Sequence, residues 1–184
     1  MKTRRRIRKA VIFFAIAGAL FFAREYLYRM LADYRQTGTR HSAMLTQPDW
    51  KSDCDAWLQE NPDAGTKDIV AFADNYTRDN LKFTFEKCTT DPNRLMALAP
   101  AERRSNCVGY SSMMDATVSY LARQSGKAAH IHSEHCVGLI FIAGFNLHRL
   151  FDHPFFRDHD YNVVVDKQSG RRFWQDPSVE EVLK

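Results

Sequence analysis

The sequence lacks the patterns that assign many proteins to a class at once. It has no internal repeat, no low-complexity tract and no calcium-loop pattern. These absences exclude repeat arrays, compositionally biased segments and calcium loops of the EF-hand kind. The chain has 184 residues, of which 45% are hydrophobic and 26% charged, and this composition indicates one globular domain with a short appendage.

Basic residues are scarce outside the N-terminus. Residues 1–30 hold eight basic residues and one acid, Glu25, which gives a charge of +7; the net charge of +4 therefore leaves −3 for the rest of the chain. A nucleic-acid-binding domain gathers basic residues on its folded body. We therefore expect no nucleic-acid partner.

The longest apolar run is short for a membrane span. Ala10–Ala23 has 14 residues, about 21 Å as a helix, whereas a hydrocarbon core is about 30 Å thick. The basic stretch Met1–Lys9 precedes it, an order typical of a signal peptide or an uncleaved signal-anchor over residues 1–30. We favour the anchor, a membrane helix that would hold the body on the periplasmic, extracytoplasmic side; a cleaved signal would leave it secreted. The alternative is a buried helix that opens a soluble domain.

The remaining chain divides into a linker and a domain. Residues 31–50 are polar and predict a juxtamembrane linker, and residues 51–184 predict one folded domain. The spacing of Ile69, Phe72, Ala73 and Tyr76 predicts one helix. A second helix is predicted from an N-cap at Ser105 or Asn106 to Gly126. Strands are predicted after it, over 127–133, 137–143, 161–166 and 171–175, the last two forming a hairpin.

Three residues in this framework suit nucleophilic catalysis by a thiol. Cys107 lies in the first turn of the second helix, where unpaired amides and the helix dipole favour a thiolate. His159 begins one strand of the hairpin and Asp176 follows the other. Pairing of Val163 with Phe173 or a near neighbour would bring His159 and Asp176 together, so that the acid orients the imidazole.

These residues carry a resemblance to bacterial transglutaminase-like proteins. Cys107–Ser111 resembles the family's C-x-G-Y-[A/S] motif, His159 before an apolar strand resembles its histidine motif, and Trp174–Ser178 resembles W-x-D-P-[S/T]. The resemblance covers residues 65–178. It implies an α+β, papain-like core in which the nucleophile helix packs on a small antiparallel sheet. It also implies that Cys107 is the nucleophile, His159 the general base and then acid, and Asp176 its orienter. The expected substrate is a protein or peptide amide, attacked through a thioester, with no cofactor.

Two departures from the family pattern stand near the site. The family often has Ala-Trp after its histidine, whereas this chain has Asp160-Tyr161. That acid could raise the pKa of the histidine or compete for its hydrogen bond. The stretch from Cys136 to Asp158 is also longer than the family minimum, and we interpret it as a lid or a surface for an envelope protein partner.

Other interpretations of the cysteines and histidines stay open. In an exported chain Cys54 and Cys88 are our preferred disulfide pair, because both precede the catalytic helix. One alternative function is a non-catalytic transglutaminase-like module that binds a protein or wall component at the cell envelope. Another is a zinc-binding domain, and its ligands would be His130, His132, His135 and Cys136. We favour the enzyme and expect no metal.

Overall fold

The computed structural model describes residues 13–15, 17–19, 21–41 and 43–183. Its helices and strands alternate in an α+β arrangement, as predicted. The helices are α1 (Arg24–Leu31), α2 (Pro48–Glu60), α3 (Thr66–Asn80), α4 (Pro92–Met96), α5 (Cys107–Gln124) and α6 (Pro177–Val182). The strands are β1 (Ala32–Arg40), β2 (Lys82–Phe83), β3 (Arg104–Ser105), β4 (Ile131–Ile142), β5 (Phe145–Asn146), β6 (His159–Asp166) and β7 (Arg172–Gln175).

The main sheet is small and antiparallel. Its strands lie in the order β1-β4-β6-β7, and β5 adds a short hairpin to the end of β4. In the β6–β7 hairpin Val163 pairs with Trp174, one residue from the predicted partner. Strands β2 and β3 form a separate parallel pair. The predicted sheet and its hairpin are therefore confirmed, and the hairpin fixes where His159 and Asp176 lie.

Helix α5 packs across this sheet and against α3. Asn106 is its N-cap and accepts a hydrogen bond from the Val108 amide at 3.1 Å, while Gly126, at φ +71°, follows its C-terminal end. The predicted bounds are thus confirmed. Its buried side chains include Tyr110, Val118 and Leu121. Met113 and Met114 are also fully buried in the hydrophobic core. Because α5 is held on nearly all sides, its first residue is fixed relative to the sheet.

Two predictions of secondary structure are wrong. Residues 32–40, predicted as linker, form the edge strand β1, which pairs with β4 from Ala32↔Ile142 to Arg40↔His135. The sheet therefore begins upstream of residue 51. The two strands predicted over 127–133 and 137–143 are one continuous strand, β4, and residues 127–130 form a turn before it.

The predicted signal segment lies partly outside the described residues. Residues 1–12, 16 and 20 belong to that part, and the described residues between 13 and 22 are helical. Within the described chain, no helix combines the length and apolar character that a membrane crossing needs.

The four cysteines are all described and all free. Cys54 is buried on α2 in the main core, and the Cys88 thiol lies 3.9 Å from the Ser105 hydroxyl. The predicted disulfide between Cys54 and Cys88 is therefore wrong: each thiol has its own packing environment.

Strand β1 approaches β4 so closely at Gly138 that a substitution there should destabilise the fold. A Cβ at Gly138 would lie 2.5 Å from the carbonyl oxygen of Arg35, which is backbone and cannot move aside. We expect Gly138→Ala to lower the free energy of unfolding by about 1–3 kcal/mol in urea denaturation. Gly38→Ala is the matched control on β1, since a Cβ there meets no described atom within 4 Å. Equal stability of the two variants would contradict the close approach.

Candidate active site

Cys107 occupies the first position of α5. Its side chain is 8% exposed, and Asn106 caps the next amide, that of Val108. The motif glycine, Gly109, lies against Ser105: a Cβ there would be 1.9 Å from the Ser105 hydroxyl oxygen. A residue with no side chain is therefore required two positions after Cys107, where the helix start meets β3. This packing gives the C-x-G pattern a structural cause.

His159 and Asp176 meet as the hairpin predicts. The His159 Nε2 and Asp176 Oδ2 atoms are 2.7 Å apart. Asp176 follows β7 and is the N-cap of α6, so its other oxygen, Oδ1, accepts the Val179 amide at 3.1 Å and the Ser178 hydroxyl at 2.9 Å. Both carboxylate oxygens thus have donors, and the imidazole is oriented by an acid that a helix start holds in place.

Two tyrosines also bind this acid, and sequence reasoning did not find them. The Tyr34 hydroxyl donates to Asp176 Oδ2 at 2.6 Å, and the Tyr28 hydroxyl donates to the same oxygen at 3.2 Å. The two hydroxyls are also within hydrogen-bond distance of each other, and because each carries one proton, Tyr28 shares its proton between the Tyr34 oxygen and Asp176. Tyr28 lies on α1 and Tyr34 on β1, more than 140 residues before Asp176. No local pattern links residues so far apart.

The charges of the pair follow from this geometry. Burial, the largest influence, lowers the pKa of His159, but the charge and hydrogen bond of Asp176, with contributions from Cys107, outweigh it and raise the pKa to about 10. For Asp176, burial raises the pKa, and His159, Tyr34 and the Val179 amide together hold it below its usual value. At neutral pH the pair is therefore an imidazolium with a carboxylate.

Cys107 and His159 line one cavity of about 240 Å³. Because Nε2 of His159 is engaged by Asp176, Nδ1 is the ring nitrogen left for the thiol. Most of the cavity wall is apolar, and its members include Phe83, Phe85, Ile140, Leu147, Phe156 and Val182. A reacting group seated in this space would lie against both the thiol and the imidazole.

A second buried acid, Asp160, lies beside Cys107. Its Oδ2 accepts a hydrogen bond from the Cys107 thiol at 4.0 Å, while its Oδ1 accepts from His135 Nε2 at 2.7 Å and Arg40 Nε at 2.6 Å. Burial raises the pKa of Asp160, but the hydrogen bonds from His135 and Arg40 bring it below the usual value. The acid beside the histidine is thus bound by two other side chains. Sequence reasoning noted Asp160 but missed both of its partners.

The predicted alternative zinc ligands are not assembled. His130 lies in the turn before β4, His132 is exposed, and the neighbouring residues His135 and Cys136 point to opposite faces of the strand. Among the described residues, no group of three or more His, Cys, Asp or Glu side chains is placed to hold a metal ion.

Comparison with protein-family models, with curated proteins and with solved structures found no match. The interpretation of the site therefore depends on its own geometry. That geometry brings together all three predicted residues: Cys107 and His159 in one cavity, and His159 on Asp176.

The raised pKa of His159 predicts a pH-dependent stability. A histidine with a folded-state pKa of about 10 and an ordinary value of 6.5 stabilises the native state fully below pH 6.5, and this contribution is lost as the pH rises towards 10. We expect the free energy of unfolding of the wild type, minus that of His159→Gln, to shrink between pH 6 and pH 10 in denaturant titrations. His132→Gln, which removes an exposed histidine, is the control. A difference independent of pH would contradict the ion pair.

The Asp160 network predicts a large loss of stability on neutralisation. Asp160→Asn removes the carboxylate that binds the buried His135 and the half-exposed Arg40 guanidinium, and we expect a loss of about 1–3 kcal/mol in the free energy of unfolding. Asp33→Asn is the matched control on β1: Asp33 also faces an arginine, Arg35 at 3.6 Å, but both side chains are exposed. That variant should stay within about 0.5 kcal/mol of wild type.

Proposed function

We propose that the protein is a thiol-dependent hydrolase or acyl transferase that acts on protein or peptide amide bonds. The observation that carries the proposal is His159, held by Asp176 at 2.7 Å while it shares a cavity with a cysteine at a helix N-terminus. The resemblance to transglutaminase-like proteins supports the same three roles. Cys107 is the nucleophile, His159 the base and then the acid, and Asp176 the orienter.

The proposed reaction has two steps, formation of a thioester on Cys107 and its breakdown. In the first, His159 Nδ1 holds the thiol proton while the Cys107 sulfur bonds to the amide carbon and the carbonyl electrons move to oxygen. The carbon–nitrogen bond then breaks, the amine leaves with the proton from His159, and a thioester remains. In the second, water or another amine gives a proton to His159 and attacks the thioester. The carbon–sulfur bond breaks and regenerates the thiolate.

The helix start also offers a donor for the oxygen that becomes negative. Cys107 is the first residue of α5, and Asn106 takes the amide of Val108 rather than that of Cys107. We assign the Cys107 amide as the donor to that oxygen, since it lies at the positive end of the helix dipole.

The extracytoplasmic location and the membrane anchor stay predictions from residues 1–30.

Alkylation with iodoacetamide at pH 6 tests the nucleophile. An ordinary thiol is almost fully protonated at this pH, whereas a thiolate paired with His159 reacts. We expect Cys107 to be alkylated faster than the half-buried Cys88, and His159→Gln to slow Cys107 by about 10-fold or more without changing Cys88. Peptide mass spectrometry assigns each site. Equal rates at the two cysteines, or no effect of His159→Gln, would count against the catalytic pair.

Trapping of the acyl-enzyme separates an enzyme from a binding module. The wild type is incubated with a mixture of peptides, quenched in acid and digested, and we expect a hydroxylamine-sensitive acyl adduct on Cys107. His159→Gln and Cys107→Ala should form none. Peptide binding that is equal in wild type and Cys107→Ala, without an adduct, would favour the non-catalytic module.

A further inference from the structure

We infer that the cavity at Cys107 is a specificity subsite for one large apolar side chain, aromatic by preference, on the residue that donates the acyl group. The inference rests on the proposed function, because it assigns the substrate of the same nucleophile. It concerns the end of the stretch from Cys136 to Asp158, which is longer than the family minimum.

The cavity has an aromatic wall built from two segments of the chain. Phe83 ends β2, and Phe85 follows it two residues later. The other three rings, from Phe151, Phe155 and Phe156, belong to the long segment before His159. Their rings contact one another: Phe85 and Phe155 centroids are 5.4 Å apart, and Phe151 and Phe156 are stacked at 4.5 Å. Such rings favour a further ring in edge or offset contact.

A partly buried histidine, His148, ties this wall to the sheet. His148 Nε2 accepts the Ile140 amide at 3.0 Å, so the proton lies on Nδ1, which donates to the Phe156 carbonyl at 2.7 Å. One imidazole thus bridges β4 and the loop. The aromatic wall is therefore positioned before a substrate arrives, which lowers the ordering cost of binding.

The size and chemistry of the cavity select the occupant. Its volume of about 240 Å³ is below the roughly 300–1,000 Å³ of pockets that enclose a drug-sized ligand, so it suits one side chain rather than a long acyl chain. A charged side chain would lose its hydration against an apolar wall, which is costly. At the rim, Phe85 and Phe151 are 64% and 51% exposed, and a substrate side chain would remove this apolar surface from water.

Chloromethyl ketones of single amino acids test the subsite. Each places its side chain beside Cys107 while the sulfur displaces chloride, so the rate of inactivation reports the fit. We expect the N-acetyl-phenylalanine reagent to alkylate Cys107 at least about 10-fold faster than the N-acetyl-glycine reagent. It should also exceed the aspartate reagent and a long-chain alkyl chloromethyl ketone. Equal rates for phenylalanine and glycine, or the fastest rate for the alkyl reagent, would overturn the inference.

Two variants locate the preference on the wall. Phe85→Ala and Phe151→Ala remove exposed rings that line the cavity, so folding should survive, and we expect each to reduce the preference for phenylalanine several-fold. Phe145→Ala is the matched control, because Phe145 has the same exposure as Phe151 but does not line the cavity. An equal effect of Phe145→Ala and Phe151→Ala would overturn the assignment.

Iodoacetamide distinguishes a failure of the subsite from a failure of the nucleophile. The reagent carries no side chain, so its rate at Cys107 should be the same in wild type and Phe151→Ala. If iodoacetamide shows a His159-dependent thiolate and the chloromethyl ketones show no preference, the subsite fails while the nucleophile stands. If no reagent shows a His159-dependent rate at Cys107, the proposed function itself fails.

Discussion

The buried carboxylate of Asp176 is the group on which the candidate site depends. It follows the last strand, begins the last helix, orients His159 and binds two tyrosine hydroxyls. Burying an ion is costly unless it is paired and hydrogen-bonded. Here the donors come from β6, α6, α1 and β1, so the cost is offset only when all four elements are in place. The geometry of the His159–Asp176 pair is thus a consequence of the whole sheet and not of the hairpin alone.

One segment, residues 28–40, supplies donors to three buried acids. Tyr28 and Tyr34 bind Asp176, Arg40 binds Asp160 at 2.6 Å, and Arg29 binds Glu180 at 2.8 Å. Burial and the neighbouring Asp74 raise the pKa of Glu180 to about 7. Each acid would be left with fewer donors if α1 and β1 came away. Docking of this segment and formation of the site are therefore coupled, although the segment lies outside the region that resembles the family.

The parts of the site that sequence predicts are those with local signals. Helix α5 has an N-cap, a buried face and a terminal glycine, and the hairpin has alternation about a turn, so Cys107, His159 and Asp176 could be placed from short windows. Strand β1 has no such signal: most of Ala32–Arg40 is exposed and polar, and its pairing with β4 is set by contacts about 100 residues away. The tyrosine and arginine donors likewise bind residues that lie far away in the sequence. Propensity cannot report a partner that only the tertiary fold supplies.

Two buried acids lie near Cys107, and strand β1 supplies a donor to each of them. Asp176 carries the charge that, together with its hydrogen bond, raises the pKa of His159. Asp160 Oδ2 accepts a hydrogen bond from the Cys107 thiol at 4.0 Å, while its Oδ1 binds Arg40 and His135. The acid that contacts the sulfur is therefore paired by Arg40 of β1, and the acid that holds the imidazole is bound by Tyr34 of the same strand. The surroundings of both Cys107 and His159 thus depend on β1.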